Sequence, residues 1–368
     1  MIEKGKISAL QMGIMMYPTI LATAILTIPS LTAPYAKQDL WISPLWACPI
    51  GLSIVFVFFQ LHKLYPEMNI IQYSECIMGR FFGKIFGFLY LFFFLQNSGL
   101  VLREYAEFII TTALPKTPII VVIASMVLVS AFAVRGGVEV IARASLVFFP
   151  LFTFPLLIMG VLLLPDIHIQ NILPIFGNGI TPSLKGAFFI ISWFSDLLYV
   201  SFLLPFLKDP EKGRKWGGIS VLAITLTMVV TSLSSVFVLG VVTSKELYPV
   251  MNVVRYVSIG DFIEHIESIV MAVWITGVFL KFSLFYYALV LGAAQWMRLS
   301  NYKSIVLPLG FLQVIFSIWV TPSIQQLGYF FSTIGSVYVP FIESVLPLFL
   351  LFLALIQRKL KEKSPESV

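Results

Sequence analysis

The sequence predicts an all-α, polytopic membrane protein with ten transmembrane helices and both termini in the cytoplasm. Three observations support this fold class. The 368-residue chain is 59% hydrophobic and only 11% charged, whereas soluble proteins carry roughly a quarter charged residues. Ten apolar runs are long enough to cross a bilayer core of about 30 Å, which requires about 20 residues of helix. Lysine and arginine are concentrated in alternate gaps between these runs.

The apolar runs follow one another without a linker or a low-complexity tract, so we expect one transmembrane domain over residues 1–368. We predict spans at about 10–36, 42–62, 84–113, 117–134, 145–164, 184–206, 216–242, 268–295, 303–321 and 335–357. A basic cytoplasmic tail follows at 358–368. The first run is too long for a signal peptide and lacks a small-residue cleavage site, so it is predicted to be the first membrane helix.

Positive charge orients the chain, because cytoplasmic loops are enriched in lysine and arginine. With the N-terminus inside, the cytoplasmic set is Lys4, Lys6, Lys63, Arg80, Lys84, Arg135, Arg143, Lys208, Lys212, Arg214, Lys215, Arg298, Lys303, Arg358, Lys359, Lys361 and Lys363. The outside set is only Lys37, Lys116, Lys185, Lys245 and Arg255. This loop bias and the basic tail account for the net charge of +6, so we infer no nucleic-acid partner and expect the basic residues to lie at the surface of the lipid bilayer.

Ten spans can be grouped as two sets of five, with repeat one at about 10–164 and repeat two at about 184–357. In the inverted-repeat plan of many secondary transporters, the first helix of each repeat is discontinuous and ligand binds at the two breaks. Span one carries Pro18 and Pro29, and span six carries a polar cluster at 192–196. Each motif fits either a broken helix or a kinked, continuous helix whose hydroxyls bond to the preceding turn.

Charged residues at membrane depth are costly and usually face a cavity or a partner, so each is a candidate functional residue. Arg103 and Glu107 are four residues apart in span three, on one helical face, and can form an ion pair. We interpret this pair as structural, with direct ligand contact as the alternative.

Three further charges lie inside the predicted spans. Asp196 is near the middle of span six, Lys281 is near the middle of span eight, and Glu343 is in the outer third of span ten. Asp196 and Lys281 either form a buried pair or separately bind the amine and the carboxylate of a zwitterion. No nucleophile–base pair accompanies them, so the sequence does not indicate an enzyme. The three histidines have no metal-ligand spacing, and we predict no metal or other cofactor.

A set of short motifs extends in order over nearly the whole chain. They are Ile25-Leu26-Thr27-Ile28-Pro29, Arg103-Glu104-Tyr105-Ala106-Glu107-Phe108, Gly136-Gly137 with Arg143, Leu173-Pro174 with Gly177, and Phe262-Ile263-Glu264-His265-Ile266-Glu267-Ser268 leading to Val273-Trp274-Ile275 and Lys281. In this order and spacing they resemble the endospore germination permeases. These are the B subunits of GerA-type germinant receptors and belong to the amino acid–polyamine–organocation transporter superfamily.

The resemblance implies a LeuT-like fold of five plus five helices and a location in the spore inner membrane. It also implies a complex with an A subunit and a C-subunit lipoprotein. In that complex this subunit would bind a small nutrient germinant, often an amino acid, and signal germination through its partners. The alternatives are a proton- or sodium-coupled amino acid transporter and a scaffold that only anchors the complex.

Two departures from the superfamily pattern bear on transport. The superfamily usually has a Gly-x-Gly break in span one, where this chain has Ala-Thr-Ala at 22–24. Alanine narrows the space for ligand and weakens exposure of backbone donors. Some superfamily members also carry a lysine in span five, whereas span five here has no charge. The first departure fits either an altered ligand preference or a site that binds without transporting, and the second weighs against ion-coupled transport.

We therefore predict a ligand site between spans one, three, six and eight. Its predicted residues are Thr23, Ala24, Ile25, Thr27, Asn97, Trp193, Ser195, Asp196 and Lys281. The backbone amides of Thr23 and Ala24 are expected to meet the anionic end of the ligand at a helix N-terminus. Either Asp196 or Lys281 is expected to fix the polarity of the bound ligand.

Overall fold

A computed structural model describes residues 3–256 and 266–363, which are almost entirely helical. The α-helices are α1 (Ala9–Ala36), α2 (Ser43–Leu64), α3 (Ile70–Thr112), α4 (Ile119–Gly136), α5 (Val138–Leu162), α6 (Thr181–Ser195), α7 (Pro210–Leu239), α8 (Pro249–Tyr256), α9 (Ile266–Trp296), α10 (Val306–Val320), α11 (Ile324–Ser332), α12 (Gly335–Pro340) and α13 (Leu346–Lys363). The predicted motif residues 262–265 and the tail residues 364–368 lie outside the described ranges.

The helices reproduce the order of the predicted spans. In the described residues, nine helical stretches are long and apolar enough to cross a membrane. The first stretch, Ala9–Leu64, has 56 residues and contains both α1 and α2, joined by the 3-10 turn Lys37–Ile42. With α1 and α2 taken separately, the stretches correspond one to one to the predicted runs. The cytoplasmic location of the termini stays a prediction, because it rests on loop charge alone.

The helix α1 lies at the centre of the bundle and packs against α5, α6, α7 and α9. It contains three prolines: Pro18, Pro29 and Pro34. The helix nevertheless continues without interruption, so of the two alternatives for span one the structure has the continuous helix. The hydroxyls of Thr19, Thr27 and Thr32 donate to carbonyls four residues earlier, as in the continuous-helix alternative. Packing on all sides keeps the helix intact, as membrane helices tolerate proline where neighbouring groups support the backbone.

Span six changes its winding at the predicted polar cluster. The helix α6 ends at Ser195, a 3-10 helix covers Asp196–Phe202, and a second short one covers Leu204–Phe206. The backbone at this junction keeps right-handed helical angles. Span six is therefore tightened rather than opened, and Asp196 lies where the regular α-helix stops. Such changes of winding within a helix often mark a functional hinge.

Two other spans also depart from a regular α-helix. The helix α3 begins at Ile70 rather than near residue 84, because it includes a short segment before a bend at Gly79. Gly79 has φ 78°, a left-handed angle that favours glycine. In span ten, a π-helical turn at Phe341–Val345 separates α12 from α13 and carries Glu343. π-helical turns are rare and frequently lie at functional sites.

The segment before α1 is tied to the residues that follow span six. The amide of Ile7 donates to the carbonyl of Phe206 at 2.9 Å, and the amide of Lys208 donates to the carbonyl of Ile7 at 2.9 Å. The amide of Ala9, the first residue of α1, donates to the Asp209 carboxylate at 2.7 Å. These bonds hold the start of α1 against the end of span six.

Candidate functional site

Five of the predicted site residues line one small cavity in the middle of the bundle. They are Thr23, Asn97, Trp193, Asp196 and Lys281. The cavity has a volume of about 30 Å³. It lies where α1, α3 and α9 meet the junction between α6 and its 3-10 extension, and these elements belong to the four spans from which the site was predicted.

Lys281 is the centre of this cluster and is only 2% exposed. Its Nζ donates to Asp196 Oδ2 at 2.8 Å and to Thr23 Oγ1 at 2.9 Å. The Trp193 indole Nε1 donates to the same Thr23 oxygen at 2.9 Å. A buried ammonium requires such partners because its desolvation is costly. Thr23 therefore connects α1 to both α6 and α9 through one hydroxyl.

Asn97 joins Asp196 to a second buried carboxyl group, that of Glu343. The amide Nδ2 of Asn97 donates to Asp196 Oδ1 at 3.1 Å and to Glu343 Oε1 at 3.2 Å. One amide group therefore bridges the two carboxyl groups. The second oxygen of Glu343, Oε2, is buried and meets no donor. The cluster thus contains two carboxyl groups and one ammonium group.

Glu343 belongs to this cluster although the predicted site did not include it. Its position in the sequence suggested the outer third of span ten, away from the midplane. The structure instead places it beside Asp196, in the π-helical turn. The available signal was a lone acid inside an apolar run, but the sequence could not show which charge it faces.

Glu104 is a second site residue missing from the predicted set, although it lies in a motif used for the family resemblance. Its carboxylate accepts a hydrogen bond from the Thr27 hydroxyl at 2.9 Å. Glu104 and Phe331 line both the central cavity and a larger one of about 310 Å³. Because the rings of Phe331 and Trp193 are 5.4 Å apart, these aromatic side chains meet at the boundary between the two cavities.

The remaining predicted residues lie near the cavity but do not line it. Thr27 lines the larger cavity, and Ile25 lines a separate apolar one. Ala24 is buried, and the Ser195 hydroxyl bonds to Ser344 at 2.9 Å. The predicted role of the Thr23 and Ala24 amides is wrong, because both residues lie inside a continuous helix and not at a helix N-terminus.

The predicted pair of Arg103 and Glu107 forms in the structure. Arg103 Nε and Nη2 donate to Glu107 Oε1 at 2.9 and 2.6 Å. Nη2 also donates to the carbonyl of Pro322 at 2.9 Å, in the connection between α10 and α11. The pair therefore ties α3 to a loop, and its structural role stays a prediction.

Comparisons with known proteins agree with the motifs. A family model described as "Spore germination protein" matches residues 6–324. Spore germination protein KB of Bacillus subtilis (strain 168) is 29% identical, with 98% of each chain covered. Spore germination protein YndE of the same organism is 27% identical, over 95% of this chain and 96% of the relative. Spore germination protein A2 is 24% identical over 94% of each.

Solved structures show the same fold at low sequence identity. MHP1, a nucleobase-cation-symport-1 family transporter solved in a closed conformation with bromovinylhydantoin, has a TM-score of 0.63 and 13% identity, covering 94% of this chain and 78% of that one. MhsT in complex with L-phenylalanine has a TM-score of 0.62 and 14% identity, covering 96% and 99%. Both are LeuT-fold transporters, so the helices described above form a LeuT-like fold.

Proposed function

The chain belongs to the spore germination protein family, and on this premise we propose that it is the transporter-like subunit of a spore germinant receptor. In this role it binds a small nutrient germinant, such as an amino acid, in the spore inner membrane. It then signals germination through an A subunit and a C-subunit lipoprotein. The matched relatives are germination proteins and the structural neighbours are transporters, so the protein is not an enzyme.

The observation that carries this proposal is the polar cluster around Lys281. Asp196 and Lys281 come from different spans. Lys281 donates to both Asp196 and Thr23 on α1, and Trp193 donates to the same Thr23 hydroxyl. A ligand with an amine and a carboxylate can exchange bonds with this pair, because an acid and a base lie side by side in the cavity wall. Such an exchange changes the contacts of α1, span six and α9 together.

The central cavity is smaller than an amino acid, so binding requires the two cavities to join. Phe331 on α11 lies at their boundary against Trp193. In the predicted topology α11 is on the outer side, which is the side from which a germinant arrives. We infer that ligand enters the larger cavity and displaces Phe331. A ligand shifts an equilibrium between two conformations by its differential affinity, and one such step is sufficient for a sensor.

The substitution Thr23→Val tests the site with little change of volume. It removes the oxygen that accepts hydrogen bonds from Lys281 and Trp193. We expect spores carrying this variant to need a several-fold higher germinant concentration, at unchanged protein abundance. Thr19→Val is the matched control, because Thr19 is buried one turn earlier and its hydroxyl bonds only within its own helix.

Equal dose responses for both variants and the wild type would exclude the central cavity as the germinant site. The transporter alternative is tested separately, by measuring uptake of labelled germinant into vesicles that contain only this chain. A sensor gives binding without accumulation. Accumulation driven by a proton or sodium gradient would favour the transporter instead.

A further inference from the structure

The carboxyl groups of Asp196 and Glu343 share one amide donor. Asn97 Nδ2 donates to one oxygen of each, at 3.1 and 3.2 Å, and both acidic side chains are buried. Lys281 donates to the other oxygen of Asp196, which leaves Glu343 Oε2 buried without a donor. Two ionised carboxylates have acceptor oxygens only, so neither can supply a donor to the other. A proton on one carboxyl group removes this deficit.

The charges that face Glu343 give the same result. Among the described residues, Lys281 is the one cation near the pair, and it already bonds to Asp196. The other titratable groups facing Glu343 are acids or phenols: Asp196 and Tyr199 from the 3-10 helix, Tyr90 from α3, and Tyr338 from α12. The facing residues of α2 are Ile50, Ser53, Ile54, Val57 and Phe58, none of which is charged. Glu104 adds a further acid near Asp196.

We propose that Asp196 and Glu343 hold one bound proton between them, which makes this pair a proton-binding site in the membrane interior. Two buried carboxyl groups that share one amide donor and have one ammonium between them do not both ionise in a dry environment. With one proton shared, the cluster contains one net negative and one positive charge and is balanced. This inference concerns the chain without ligand and does not depend on the germinant.

The pair also connects two different cavities. Asp196 lines the central cavity, whereas Glu343 lines a groove of about 160 Å³ between α2 and the π-helical turn of span ten. The two cavities share no lining residue, so Glu343 can take up a proton from a groove separate from the proposed germinant site. Loss of the proton would leave two carboxylates competing for Lys281, which would draw its ammonium away from Thr23. Proton binding and the geometry of the central cavity are linked in this way.

Infrared spectroscopy of the purified full-length chain, in a maltoside detergent that contains no ester, tests the site directly. A neutral carboxylic acid gives a carbonyl stretch above the amide band, and an ionised carboxylate does not. We expect this acid band in the wild type at neutral pH and its loss or marked reduction in Glu343→Gln. The matched control is Glu211→Gln, which changes an exposed acid at the start of α7 and leaves the band intact.

A second variant covers the case in which Glu343→Gln does not fold. In Asp196→Asn, Glu343 becomes the carboxyl partner of Lys281 and ionises, so the acid band is again lost or reduced. An acid band unchanged in both variants would overturn the proposal. Absence of the band from the wild type would also overturn it. A band that disappears only in Glu104→Gln would place the proton on that residue and overturn it too.

Discussion

Two of the charged groups that the described part of the chain buries at membrane depth differ in balance. Arg103 and Glu107 form a pair in α3 in which one acid meets one base, and Arg103 Nη2 also donates to the carbonyl of Pro322. The cluster around Lys281 has two carboxyl groups for one ammonium and leaves one carboxyl oxygen without a donor. The first group lines none of the cavities described above, whereas the second lines the central one.

The difference separates a structural pair from a candidate site. A buried pair of one acid and one base has no excess charge to offer a ligand, and its partners constrain each other. An unbalanced cluster beside a cavity keeps bonding capacity that a ligand or a proton can use. A buried charge therefore indicates a ligand site mainly when its hydrogen-bonding groups or its charge lack partners within the protein. Only the structure shows whether they do.

The largest effect is expected from removing the single cation of the unbalanced cluster. Lys281→Met leaves two carboxyl groups without an ammonium partner, and breaking a buried pair in this way costs about 3–5 kcal/mol. We expect a strong fall in membrane abundance and in the thermal stability of the purified chain. Combining it with Asp196→Asn should restore much of the stability. If Lys281→Met alone is as stable as the wild type, the ammonium group is not needed to stabilise the two buried carboxyl groups.

A somewhat smaller effect is expected for the balanced pair. Arg103→Glu and Glu107→Arg each place like charges together, whereas the double exchange restores one acid beside one base. We expect each single variant to reduce protein abundance and the exchange to recover much of it. Recovery should be incomplete, because Arg103 also donates to the carbonyl of Pro322. Single variants that fold normally and lose only germinant sensitivity would move this pair into the ligand site.

The smallest effect is expected at the boundary between the two cavities. Phe331→Ala removes the ring that contacts Trp193 and favours conformations in which the cavities are joined. Apparent affinity rises with the fraction of molecules that are in the binding-competent conformation. We therefore expect germination at several-fold lower germinant concentration, with unchanged protein abundance. Phe330→Ala is the control, since Phe330 packs on Phe331 but lines neither cavity. An identical response of both variants would show that Phe331 does not control entry.

The sequence predicts the membrane helices well because hydrophobic length is a local property. The first apolar run was predicted at 10–36 and the helix is Ala9–Ala36. Local signals do not settle features that depend on tertiary contacts. Pro18 and Pro29 fit either a broken or a continuous helix, and packing on all sides keeps α1 continuous. Span six, in contrast, changes its winding at Asp196 without a proline there.

The candidate site was predictable in part for the same reason. Asp196 and Lys281 could be paired because both lie near the middle of long apolar runs. Glu343 could not be assigned to this cluster from the sequence, because its depth in the membrane depends on how α12 and the π-helical turn are placed. Phe331 lies in a connection between spans, and nothing in the local sequence indicates that its ring reaches the centre of the bundle.

The bonds between Ile7 and the residues after span six have a mechanical consequence. The ends predicted to be cytoplasmic, in the first helices of the two predicted repeats, share backbone hydrogen bonds, and the Asp209 carboxylate adds a third connection at Ala9. Separating the two helices at this end requires all three bonds to break. If ligand displaces α1 at the central cavity, as we propose, we expect this end of α1 and the end of span six to move together.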